Sequence, residues 1–177
     1  MRSFTIKNTA AFMNGLLSER ETVFDQFLLS EAVIVTGNTY TIDGHLNSEF
    51  YTGDELDELR LQASSNGRIF SEDMIRWESA KGYCHDLIRG RKTPLMLKIT
   101  FCLAPENIIK FMKGIDTAMT PSDISSLNVN IKYDGSTLTC TTAVSLKIFT
   151  MDRTVGKAYD DMFGRFLYVN GYEYEAV

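Results

Sequence analysis

Histidine is nearly absent from this chain: there are two, His45 and His85, in 177 residues. Metal centres built on several imidazoles are therefore hard to assemble, and no metal or other cofactor is expected. Cysteine is almost as scarce. Cys84, Cys102 and Cys140 are odd in number, widely spaced and contain no Cys-x-x-Cys pair, which excludes a disulfide framework and argues against a cysteine zinc site. Neither glycine-rich phosphate loop occurs, and the GxSxG, HExxH and EF-hand patterns are missing too. No apolar run approaches the length of a membrane span. The first residues, MRSFTIKN, form no apolar signal region, so the expected location is the cytoplasm, with no membrane partner.

What is present suits one ordinary domain over residues 1–177, 44% hydrophobic, with a net charge of −5. The acidic balance argues against a general nucleic-acid coat but leaves room for a local basic patch.

The best-specified stretch is 128–146, NVNIKYDGSTLTCTTAVSL, two strands joined at Asp134-Gly135. A type I′ turn there pairs Ile131 with Leu138 and Val129 with Cys140. Tyr133, Val144 and Leu146 share their face, while Asn130, Lys132, Thr137, Thr139 and Thr141 take the other, wet one. A weaker echo, VIVTGNTYTIDGHL, runs over 33–46. Its turn is Thr36-Gly37 or Gly37-Asn38. Shifted by 98, Gly37, Thr39, Thr41 and Thr52 fall on Gly135, Thr137, Thr139 and Thr150.

Each hairpin follows a strand and a helix: 4–7 and 10–17 in the first half, 95–103 and 106–115 in the second. Between the halves, Thr52 and Glu55 predict a capping box for a helix over 54–61. ASSNGR at 63–68 reads as a loop, and Ser71 as the cap of a helix over 72–88. Asp152 or Thr154 opens a last helix reaching about 166. The tail around Asn170-Gly171 reads as a small hairpin, with Tyr168, Tyr172 and Tyr174 either packing on the sheet or free to stack on bases.

The element order is β-α-β-β-α, an extra helical insertion at 63–93, then β-α-β-β-α. That predicts an α+β fold: an antiparallel sheet with helices on one face. Two repeats, 1–62 and 94–166, would be related by a pseudo-two-fold. Repeated units of this kind look like those of sliding-clamp and TATA-binding-protein folds, an analogy of element order alone.

Three polar groups merit a chemical reading. Asp43-Gly44-His45 would serve as an acid–base pair or, without function, as an Asp-Gly bend with a surface histidine. Cys84-His85 lies on one helix, where neighbours at i and i+1 diverge. It reads as a buried thiol beside a boundary imidazole. Arg89, Arg91 and Lys92 end the same helix, where they would favour its dipole or bind an anion in a basic patch with Lys98, Lys110 and Lys113.

The segments FDQFLLSEAVIVTGNTYTIDG, RGRKTPL and IKYDGSTLTCTTAVSLKIFTMD together resemble an uncharacterised domain-of-unknown-function family of small proteins from anaerobic Gram-positive bacteria. The resemblance covers nearly the whole chain. It implies a single cytosolic domain and carries no catalytic residues. The leading expectation is a non-enzymatic binding or assembly module whose partner is protein or nucleic acid. The alternatives are a clamp-like nucleic-acid protein using the Arg89–Lys92 patch, and an enzyme centred on Asp43 and His45. The oligomeric state is open.

Overall fold

The computed structural model describes residues 1–90 and 92–176. Among them are seven strands and five helices. In chain order they are β1 (Ser3–Ile6), α1 (Thr9–Leu17), β2 (Phe27–Val35), β3 (Thr39–Asp43), α2 (Gly53–Ser65) and α3 (Trp77–Ile88). There follow β4 (Met96–Leu103), α4 (Pro105–Lys113), β5 (Ile124–Tyr133), β6 (Leu138–Leu146), α5 (Thr154–Val169) and β7 (Tyr174–Ala176). The strands form one sheet in the order β3-β2-β4-β5-β6-β1-β7, and every pairing is antiparallel. The fold is α+β.

Alternation explains how this sheet buries one face. Phe4, Ile6, Ala32, Ile34, Leu97, Ile99, Phe101, Val129, Ile131, Leu138 and Cys140 all enter one core. Trp77 from α3, Leu16 from α1 and Tyr159 and Phe163 from α5 meet them there. Phe27 stacks on Phe101 at 5.4 Å, and Trp77 meets Phe101 edge-on at 5.0 Å. The Trp77 indole N–H donates to the Leu16 carbonyl at 2.8 Å, so the ring is buried without an orphaned donor. Helix α2 is different. The expected capping box between Thr52 and Glu55 forms, yet α2 buries no residue.

The central hairpin forms with a changed register. Ile131 pairs with Cys140, Val129 with Thr142 and Tyr133 with Leu138, two residues away from the expectation. The loop is Gly135-Ser136 rather than Asp134-Gly135: only Gly135 has positive φ, at 95°, the signature of a type II′ turn. Asp134 stands just outside, its carboxylate accepting the Ser136 and Thr137 amides. A two-residue shift preserves parity, so every side chain keeps its expected face. In the first hairpin Val35 pairs with Thr39, which leaves a three-residue turn instead of either two-residue one.

Three other expectations fail, the first two for tertiary reasons. The helix over 72–88 begins only at Trp77. Residues 73–76 are extended and wedge between the end of β3 and β2: Leu46 N donates to Asp73 O, Ile75 N to Gly44 O and Leu29 N to Ile75 O. Ser71 does accept the Met74 amide, but as a local turn. The C-terminal hairpin is also absent. Helix α5 runs to Val169, Gly171 takes φ 76° and β7 pairs with β1. The loop expected at 63–68 is partly helix, since α2 reaches Ser65.

Both β-α-β-β-α runs occur in order, but their strand pairing differs. β4 lies beside β5 of its own hairpin, whereas β4, β5 and β6 separate β1 from β2. The clamp analogy therefore remains one of element order. The turn glycines of the echo are not equivalent: Gly135 takes positive φ, whereas Gly37 does not and nothing lies within 4 Å of a Cβ placed there.

Candidate functional site

The side of the sheet opposite the core presents an ordered polar surface. Cross-strand register builds it in rows. One row runs Ser3, Thr141, Asn130, Thr100, Glu31, Asp43; the next runs Glu175, Thr5, Thr139, Lys132, Lys98, Val33, Thr41. Ser3 and Thr141 hydroxyls meet at 3.0 Å, and Thr100 donates to the Asn130 side chain at 3.0 Å. These residues are half-buried by their neighbours or exposed. Seven strands at about 4.8 Å spacing give a face roughly 29 Å wide.

At its centre Lys98 of β4 stands directly opposite Lys132 of β5. Both ammonium groups are exposed. Glu31 approaches Lys98 at 3.6 Å, an exposed pair of small net worth. One corner of the face is closed differently: Leu28, Cys102 and Ala104 form a small apolar cluster beneath Met74.

The other sequence candidates are placed as follows. Asp43 and His45 are in contact, Oδ1 to Nδ1 at 2.6 Å, but are 74% and 60% exposed. The His45 amide also donates to Asp43 at 3.0 Å. That bond, followed by the imidazole contact, holds the carboxyl below its ordinary value. The group is a surface Asx turn closing β3. Gly44 is required there because a Cβ would lie 2.0 Å from the Leu29 carbonyl oxygen. Among the described residues, no three His, Cys, Asp or Glu side chains come together in a metal-binding group.

Cys84 is buried, and desolvation pushes its thiol up to about 12; burial likewise raises Cys102 to about 11. Such thiols are poor nucleophiles. His85 is about half exposed. Tyr172 and Tyr174 pack against Phe12 and Phe4, leaving Tyr168 as the exposed member of the trio.

Among the described residues, Arg89 and Lys110 line separate clefts. Arg89 lines a cleft between the ends of α1 and α3, with Arg20, His85 and the acids Glu19 and Asp86. It precedes the start of β4, whereas Lys110 and Lys113 lie beyond its end. Lys92 is exposed near the start of β4, and Arg91 lies outside the described residues. Lys110 instead faces a groove between α4 and α5.

Charges that sequence reading missed lie along α3. Lys81 is 5% exposed and Asp25 8%. The ammonium donates to both Asp25 oxygens, at 2.8 and 3.0 Å, and to the Glu21 carbonyl at 2.7 Å. A signal existed: Trp77, Ala80, Lys81, Cys84 and Ile88 form an i, i+3, i+4, i+7, i+11 stripe, so Lys81 lies on the buried side. Nearby, Arg76 pairs with Glu106 at 2.8 Å, both nearly buried.

The family model described as "Family of unknown function (DUF5721)" matches residues 16–175. The chain belongs to this DUF5721 family. No curated protein and no solved structure matches it. The DUF5721 match spans β2 to β6 and so includes most of the polar face. No helix among the described residues is long and apolar enough to cross a membrane.

Proposed function

We propose that this protein is a non-enzymatic, cytosolic binding or assembly module that engages a protein partner through the open face of its sheet. The observation that carries this reading is Lys98 opposite Lys132 at the centre of that face. Like charges directly across a strand pair cost stability, and a partner that brings acidic groups to the site recovers that cost. The surrounding hydroxyl and amide side chains offer donors and acceptors across a width that suits an interface of ordinary size.

A protein partner is favoured over nucleic acid by two features. Glu31, Asp43 and Glu175 share the face with the lysines, which keeps it from being a continuous cationic track. The outward positions of the described strands carry no aromatic platform for bases.

The test is affinity purification from the native host with tagged wild type and with a Lys98→Glu/Lys132→Glu variant, run beside a Lys92→Glu/Lys157→Glu control. The reading expects a stoichiometric protein retained by wild type and control and lost from the face variant. A partner that survives the face variant, or salt-sensitive nucleic acid as the only retained species, overturns it.

A further inference from the structure

The helical layer does not close between α4 and α5. A groove of about 480 Å³ opens there, with Phe27 and Leu103 at its base and Phe111, Met162 and Phe166 along its walls. The volume and apolar lining are those of a small-molecule site.

The polar groups at the rim carry the argument. They include two cations, Lys110 from α4 and Arg165 from α5, and no carboxylate. This happens in a protein whose net charge is −5. Each cation has an acid one turn earlier on its own helix, at the i, i+4 spacing that normally neutralises it. In both cases another arginine has taken that acid. Glu106, before Lys110, is bound by Arg76 at 2.8 Å and accepts the Ile69 amide at 3.2 Å. Asp161, before Arg165, is bound by Arg2 at 2.9 Å. Among the described residues neither Lys110 nor Arg165 forms an ion pair of its own.

We infer that the α4–α5 groove binds a small amphipathic carboxylate, its apolar body on the phenylalanine floor and its carboxylate between Lys110 and Arg165. Helix α4, nine residues long, is about 13 Å from end to end, which suits a medium-length acyl chain. Asn107 and Asn170 at the same rim supply further amide contacts to the head group. The site is separate from the open sheet face and does not depend on its function.

The probe is decanoate below its micellar concentration, titrated calorimetrically into the full-length protein and compared with decanol and decyltrimethylammonium. Decanoate is expected to bind at one site, about tenfold more tightly than decanol, with no binding of the cation. Lys110→Glu/Arg165→Glu is expected to abolish decanoate binding, Lys110→Arg/Arg165→Lys to retain it, and Lys98→Glu/Lys132→Glu to leave it unchanged. Both groove substitutions are at exposed positions, and circular dichroism confirms that the variants are folded. Equal affinity for the three probes, undiminished binding by the charge-reversed variant, or no binding of decanoate at about millimolar concentration overturns the assignment.

Discussion

Lys98 and Lys132 face each other across the two central strands of the sheet, β4 and β5. Glu31 approaches Lys98, and the Asp134 carboxyl, two residues beyond Lys132 in the chain, is held below its ordinary value by the Thr137 amide first and in smaller part by the charge of Lys132. Like charges directly opposite across a strand pair are a local cost. Replacing Lys132 with glutamate turns a repulsive pair into an attractive one. The variant is expected to be more stable by about 0.5 kcal/mol, read as a higher urea midpoint at constant slope. An unchanged or lower midpoint would show that the lysines do not repel in the folded protein.

The Lys81–Asp25 pair behaves in the opposite way. It is nearly dry, and the lysine has three acceptors. Lys81→Met leaves the Asp25 carboxylate buried without a partner and is expected to cost about 3–5 kcal/mol. The double variant Lys81→Met/Asp25→Leu removes both charges and should be markedly less damaging than the sum of the single changes. Chemical denaturation of the four proteins gives the coupling, and simple additivity would contradict the pairing.

Gly44 is the backbone pivot where β3 leaves β2 and residues 73–76 enter. Its amide donates to Ser30 and its carbonyl accepts from Ile75. An added methyl would meet the Leu29 backbone, which cannot move aside as a flexible side chain would. Gly44→Ala is expected to destabilise by about 2–3 kcal/mol. Gly53→Ala, where nothing lies within 4 Å of the new carbon, should be nearly neutral. Paired thermal melts test the contrast.

The buried thiols predict an alkaline limit. Burial holds Cys84 near 12 and Cys102 near 11 against an ordinary value of 9.0, and raises Cys140 as well. These folded values are raised, so the stability they preserve is complete below pH 9 and is lost as the pH climbs from 9 through about 12. The melting temperature should fall across that window, and Cys84→Ala should flatten the fall. In the native protein at pH 8, a thiol reagent should label none of the three cysteines rapidly, and all three after denaturation.

How much of this was legible beforehand depended on what the signal reported. Alternation reports faces, so the inward set of the central hairpin was correct even though its register was off by two. The capping box at Thr52 is local and was read correctly. Ser71 also gave a local signal, but backbone pairing between residues 73–76, β2 and the end of β3 overrode it. The candidate surface was partly visible: Lys132 and the threonines were placed on a wet face. Lys98 was grouped instead with the lysines of α4, although its position between buried Leu97 and Ile99 marks it as outward. That β4 and β5 are neighbours with Lys98 in register with Lys132 is a long-range fact, and no local pattern encodes it. Lys110 of α4 lines one groove with Arg165 of α5. Arg165 joins it only because α4 and α5 pack side by side.

In the proposed function a partner sits on the open sheet face. It is tested most directly by placing a photo-crosslinking amino acid at Thr139, in the middle of that face, and at Glu58 on α2, and irradiating intact host cells. A partner on that face gives a discrete, ultraviolet-dependent adduct to one protein from position 139 and none from position 58. An adduct from 58 with none from 139 would contradict it.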